Sequence, residues 1–385
     1  MRKLLLLVLL SSLTLVACNK ERNARRSNII PPTELTDIVA KRSVSRLWTR
    51  GIGEGEVRLG LRQGPAAADG MVFVADVESG VRALNAETGG VQWTADAGAG
   101  VSSSPGVGEG LVVVGTLEGH AVAFEASSGA QRWSANVGAE VLSAPAVSRG
   151  IVVVRGNDGR VHGLDANTGE RLWLYDRTSP TLTLRGSSPV IADAGMVFAG
   201  FDDGHLVALR LSDGGLVWDQ AIAVGEGRTD LDRMVDIDGH LASTGSEIYA
   251  ATFQGQIAAV TSESGRPLWG RPQSSYTGLA LVGDEVITVD SEGNVWGLDR
   301  RSGTSLWKQD KLAHRWLSGP ALQGNAVLVG DLEGYVHWID VDSGELVARQ
   351  RLGKEPIRAT PVVSNGIAFV QTTEGELAAY RISNL

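Results

Sequence analysis

The sequence predicts an all-β chain folded as an eight-bladed β-propeller with four antiparallel strands per blade, and three observations carry this. A Gly followed four residues later by a Trp recurs at Gly89/Trp93, Gly129/Trp133, Gly169/Trp173, Gly214/Trp218, Gly265/Trp269 and Gly303/Trp307, the steps between Trp residues being 40, 40, 45, 51 and 38. A mid-blade turn signal occurs eight times, at Ser79-Gly80, Gly119, Gly159, Gly204, Gly255, Gly293, Gly334 and Gly375. The last copy runs out at Leu385 before its Trp-bearing strand, and Leu47-Trp48-Thr49 offers such a strand at the other end of the chain. A repeat of about forty residues containing short strands is the mark of a propeller blade, and closing the ring with an N-terminal strand removes the exposed sheet edge.

In chain order, the first element is an export signal. Arg2 and Lys3 precede an apolar stretch from Leu4 to Val16, broken only by Ser11, Ser12 and Thr14. It is too short to span a hydrocarbon core of about 30 Å. It ends in Leu15-Val16-Ala17-Cys18, which resembles a bacterial lipobox, so residues 1–17 read as a lipoprotein signal peptide and Cys18 as the lipidated first residue of the mature chain. Asn19, where an Asp would favour inner-membrane retention, points to the outer membrane. Cys18 is the single cysteine, which leaves none for a disulfide. Residues 18–45, with Arg22, Arg25, Arg26 and Pro31-Pro32, read as a tether, and residues 46–385 as the ring.

Within the ring each copy is the same unit. Residues 158–173, DGRVHGLDANTGERLW, give a tight turn at Asp158-Gly159, an alternating strand, a second turn at Thr168-Gly169 and a strand carrying Trp173. Runs such as Ile151-Val152-Val153-Val154 supply the strands upstream. A Trp at one fixed blade position is a packing residue: burying about 150–250 Å² stabilises by at most about 4–6 kcal/mol. Gly344 continues the series with Ala348 in place of Trp, and Trp296, Trp316 and Trp338 fall outside it.

The 385-residue chain carries a formal charge of −9, and loss of Arg2 and Lys3 leaves 33 basic against 44 acidic side chains, −11. Such a surface disfavours nucleic acid and anionic headgroups. His120, His162, His205, His240, His314 and His337 show no metal-ligand spacing, and there is no nucleophile elbow or P-loop. Gly51–Gly55 and Gly106–Gly110 open no helix and read as turns. Asp230, Asp232, Asp236 and Asp238 form an acidic cluster, but His240 and a misplaced Gly239 spoil it as a calcium loop. No catalytic residue, metal or cofactor is expected.

Spacing marks a binding region. From blade Trp to the Pro opening the next blade is 12 residues for Trp93–Pro105 and Trp133–Pro145 and 13 for Trp307–Pro320, but 16 for Trp173–Pro189 and some 22 from Trp218 to Leu241. The two longest connections are consecutive and belong on one rim, where binding concentrates. The first carries Thr181-Leu182-Thr183-Leu184-Arg185, a candidate exposed strand, and the second carries the acidic cluster. The alternative is that Leu182 and Leu184 pack back on the ring and the Asp residues are solvated.

The segments LTLRGSSP (182–189), DRMVDID (232–238), LAHRWLSGP (312–320) and GDLEGYVHWIDVDSGELVA (330–348) make the chain resemble the BamB family, the propeller lipoproteins of the outer-membrane β-barrel assembly machinery. The resemblance covers the mature chain. It implies a non-enzymatic scaffold facing the periplasm that docks on the periplasmic domains of BamA, the insertion subunit, alongside the companion lipoproteins, and that presents a surface to unfolded barrel strands. It implies contacts through Leu182, Leu184, Arg185, Asp236 and Asp238. This chain departs from the family at Gly239-His240-Leu241, where Thr-Pro is common, which bears on the loop's exit. The repeat also resembles that of quinoprotein dehydrogenases, which are longer and use calcium and often a cysteine pair. A scaffold with another periplasmic partner is the third reading.

Overall fold

The computed structural model describes residues 30–56, 59–78, 80–184, 186 and 188–384. Among these, 32 strands form eight four-stranded antiparallel sheets. Blades 1 to 7 are each continuous in sequence, from Ala66–Ala68 at the inside of blade 1 to Leu346–Arg351 at the outside of blade 7. Blade 8 combines Val362–Ser364, Ile367–Gln371 and Glu376–Asn384 with the N-terminal strand Arg42–Gly51, as the sequence predicts. That strand pairs from Arg42↔Asn384 to Gly51↔Glu376, with a bulge between Arg46 and Trp48.

The innermost strands of neighbouring blades lie against one another around the axis. The second strand of a blade is buried on both faces, as in Leu111–Gly115, which is why it reads as a continuous apolar run. The outer strand buries mainly its Trp, as in Arg171–Tyr175. The core is therefore divided into eight clusters, one at each blade junction.

The Gly–Trp repeat works between blades. Trp93 packs on Gly129 of the next blade, where an added Cβ would lie 2.6 Å from the indole, and donates its Nε1–H to the Ala126 carbonyl at 2.9 Å. Trp48, Trp133, Trp173, Trp218 and Trp269 repeat the pattern on Gly89, Gly169, Gly214, Gly265 and Gly303. Each of these glycines has a φ between 66° and 74°, so the position needs glycine for its backbone as well as for the ring seated on it. Blade 8 has no third-to-fourth-strand turn, because its fourth strand comes from the N-terminus. A Trp at position 348 would have no glycine to meet. The junction is filled instead by Trp338, which stacks edge-on against Tyr380 at 5.6 Å and donates to Gln323 at 2.8 Å.

Residues ahead of the ring strand are also fixed. Thr33 N–H donates to Ala313 O at 3.1 Å and Lys41 N–H to Val347 O at 2.9 Å, while Leu35 and Ile38 pack on the cluster between blades 6 and 7. Arg315 donates to Thr33 O at 2.9 Å and Arg349 to Thr36 O at 3.0 Å. Arg315 is held in turn by buried Asp331 (2.8 Å), which also meets His337 Nε2 at 2.9 Å. The ring therefore starts at Arg42, and residues 33–41 form an arm laid along blade 7.

Candidate partner-docking site on the loop face

All blade-to-blade connections emerge on one face together with the mid-blade turns. The long pair comprises residues 176–190, between Arg171–Tyr175 and Ile191–Asp193, and residues 222–241, between Leu216–Ala221 and Ala242–Ser243. The structure brings them together. Leu184 N–H donates to the Asp236 carboxylate, and Ser188 Oγ donates to Gly239 O at 2.9 Å. At its base the first connection is anchored by Arg177, which meets Asp203 at 2.7 Å and Asp219 at 2.7 Å.

Of the residues singled out from the sequence, Leu182 is 44% exposed and Leu184 half-buried. Residues 181–184 are bends and coil, so the alternating Leu pair sits on a shaped ledge and not on an extended strand. Arg185 and Cys18 lie outside the described residues. Asp236 and Asp238 are buried. They act from beneath the ledge, whereas Asp230 and Asp232 stay at the surface, pairing with Arg233 and capping Thr229.

Beneath the loops lies a charge cluster. Arg155 is fully buried, pairs with Asp202 at 2.7 Å and lies 5.1 Å from the Phe201 ring centre, whose other neighbour is Arg177 at 5.3 Å. Arg155 faces three carboxylates, and of these Asp238 also feels the charge of Arg62. Burial, reinforced by the charge of Asp202, raises the pKa of Asp236 to about 6. Burial, with Asp236 and Asp202 nearby, raises Asp238 to about 7. One oxygen of each has no hydrogen-bond partner among the described residues.

The exit of the second connection accounts for the departure at Gly239. An added Cβ there would lie 2.1 Å from Gly278 N, and His240 O accepts from Leu279 N–H at 3.1 Å. The loop leaves by crossing directly over the next connection, and glycine permits that approach.

Sequence reasoning missed Val224 and Leu231, 73% and 62% exposed on the second connection. It also missed Arg155, although a signal was available. At the end of the second strand the other copies carry Ala75, Gly115, Gly200, Ala251, Val289, Gly330 and Gln371, so an Arg there is out of pattern.

The family model described as outer membrane protein assembly factor BamB matches residues 36–114, 77–309 and 297–384. The outer membrane protein assembly factor BamB of Xanthomonas campestris pv. campestris is 41% identical over 407 residues, covering 100% of this chain and 98% of that protein. This chain belongs to the BamB family. The crystal structure of BamB from Moraxella catarrhalis superposes with a TM-score of 0.81 at 25% identity, covering 88% of this chain and 100% of that one. Quinohemoprotein alcohol dehydrogenase from Comamonas testosteroni gives a TM-score of 0.69 at 15% identity, over 88% of this chain and 76% of that one. The second likeness shows a shared propeller and carries no more than the fold. Among the described residues no helix is long and apolar enough to cross a membrane.

Proposed function

We propose that this BamB-family chain is a non-enzymatic scaffold of outer-membrane protein assembly, anchored through Cys18 and docking through its loop face on the periplasmic domains of the BamA insertion subunit. The observation that carries the reading is the joining of the two longest connections. Leu184 N–H on the Asp236 carboxylate fixes the ledge, and Leu182, Val224 and Leu231 leave apolar surface exposed on the same pair of loops. Leu182, Leu184 and Arg185 make the contact in this reading, while Asp236 and Asp238 hold its shape. Apolar anchors on a preorganised loop bind well because little order is lost on association. The propeller contributes rigidity: it orients the insertion subunit, and unfolded barrel strands and companion lipoproteins are further partners.

The test is binding of purified periplasmic domains to the soluble ring. Leu182→Asp and Leu231→Asp, both at exposed positions, should each weaken the complex tenfold or more with an unchanged melting temperature. Wild-type affinity in both variants would refute docking at this site.

A further inference from the structure

The N-terminal ring strand begins on the wrong side for a chain that docks through its loop face. Arg42 pairs with Asn384, while Gly51 pairs with Glu376 beside the mid-blade turn at Gly375, so Arg42 lies at the face opposite the docking connections. A tether entering there directly would hold the ring with those connections pointing away from its anchor. The arm reverses this. From Lys41, whose N–H meets Val347 O at 2.9 Å, it runs back along the outer edge of blade 7 to Thr33, whose N–H meets Ala313 O at 3.1 Å. Ala313 belongs to the connection from blade 6 to blade 7, between Ser305–Gln309 and Ala321–Gln323, so the chain ahead of Thr33 leaves the ring at the loop face.

The arm is fastened along its whole length. Thr33, Leu35 and Ile38 turn toward the ring while the residues between them are exposed, and Leu35 and Ile38 pack on the cluster between blades 6 and 7. Two guanidiniums take arm carbonyls, and each is aimed from behind. Arg315, on Thr33 O at 2.9 Å, is held by Asp331 at 2.8 Å and by Glu333. Arg349, on Thr36 O at 3.0 Å, also donates to His337 Nδ1 at 3.2 Å. Hydrogen bonds from an ionised donor are roughly twice as strong as neutral ones. The repeat supplies an internal comparison. The third residue after the outer-turn glycine is Leu172, Val217, Leu268 and Leu306 in blades 3 to 6, between 38% and 54% exposed, and Val347 in blade 7, 2% exposed. One apolar strand position is open on four blades and covered where the arm crosses it.

From this geometry we infer that the arm is an orienting strap: it moves the exit of the lipid tether to the loop face, so that the anchored ring turns its docking connections toward the bilayer. The inference rests on anchoring through Cys18, proposed above. The 15 residues from Cys18 to Thr33 reach at most about 50 Å when fully extended, which bounds how far the loop face stands from the headgroups. Were the arm loose, 24 residues would separate Cys18 from Arg42, a reach of about 80 Å, and the ring would hang from its opposite face. The exit at Ala313 lies two connections further round the ring than the second docking loop, so the tether leaves the Leu182 ledge uncovered.

The test is energy transfer from the full-length lipidated chain, held in phosphatidylcholine nanodiscs, to an acceptor on the lipid headgroups. The donor is placed by Glu292→Cys on the mid-blade turn of blade 6, at the loop face, or by Asp342→Cys on the outer turn of blade 7, at the opposite face; both positions are exposed. Transfer from the Glu292→Cys donor should exceed that from the Asp342→Cys donor at least about twofold. Leu35→Asp combined with Ile38→Asp should remove the difference, and Arg349→Gln, which loses only the arginine's hold on Thr36, should reduce it, with the ring still folded by Trp fluorescence. Equal transfer from the two faces of the wild type, stronger transfer from the Asp342→Cys donor, or an undiminished difference in the doubly substituted arm would each overturn the strap while leaving the anchor standing. A chain that does not float with the nanodiscs would instead refute anchoring at Cys18, and the orientation with it.

Discussion

Replacing Asp238 by Asn should stabilise the ring in a strongly pH-dependent way. An aspartate held at about 7 in the folded chain against an ordinary 3.8 binds its proton more tightly folded than unfolded. Between roughly pH 4 and pH 7 the unfolded chain has released that proton and the folded chain keeps it, so stability falls as pH rises through this window and levels off above it. A difference of about three pKa units corresponds to about 4 kcal/mol. Asn keeps the shape and removes the titration. Urea unfolding followed by Trp fluorescence should show the variant gaining several kcal/mol on the wild type between pH 4.5 and pH 8. Asp236, raised to about 6, should retain a weaker slope of the same sign in the variant. A variant-minus-wild-type difference that is flat with pH, or that moves in favour of the wild type as pH rises, would refute the account of Asp238 as a buried acid beside Asp236 and Asp202.

Two further predictions concern the junctions. Gly169→Ala, with φ 74° and an added Cβ 2.7 Å from Trp133, should cost about 2–4 kcal/mol, combining backbone strain with a displaced indole. Gly110→Ala, with φ 77° and nothing within 4 Å, should cost about 1–2 kcal/mol, and the reverse order in urea midpoints would discredit the inter-blade lock. Ala348→Trp restores the repeat in sequence but should destabilise by about 1–3 kcal/mol, because the junction already holds Trp338 against Tyr380; a raised melting temperature would show that a Trp can dock there after all.

The ring was legible because every blade repeats one solution to one packing problem, so turn glycines and Trp residues recur at countable intervals. The repeat could not tell which blade receives each Trp, since every Trp of the series follows a Gly of its own blade by four residues, while the Gly it packs on lies 34 to 47 residues further along the chain. Ala348 looked like a lapse in the series until closure by Arg42–Gly51 removed the turn it would have faced. At the candidate site, loop length identified the right pair of connections. Burial was illegible: Asp230, Asp232, Asp236 and Asp238 look alike in sequence, and only the fold turns the last two inward toward Arg155. The arm over blade 7 was equally hidden, because its contacts are mostly backbone carbonyls reached by Arg315 and Arg349 from far along the chain.

The central claim is tested most directly by mild-detergent extraction of the tagged full-length chain from its own outer membranes, comparing wild type with Arg185→Ala. The account predicts that the wild type brings down the insertion subunit and its companion lipoproteins, and that the variant, equally stable and equally abundant, loses the insertion subunit. Recovery of the wild-type ring alone, from an extract in which the assembly complex is otherwise intact, would contradict it.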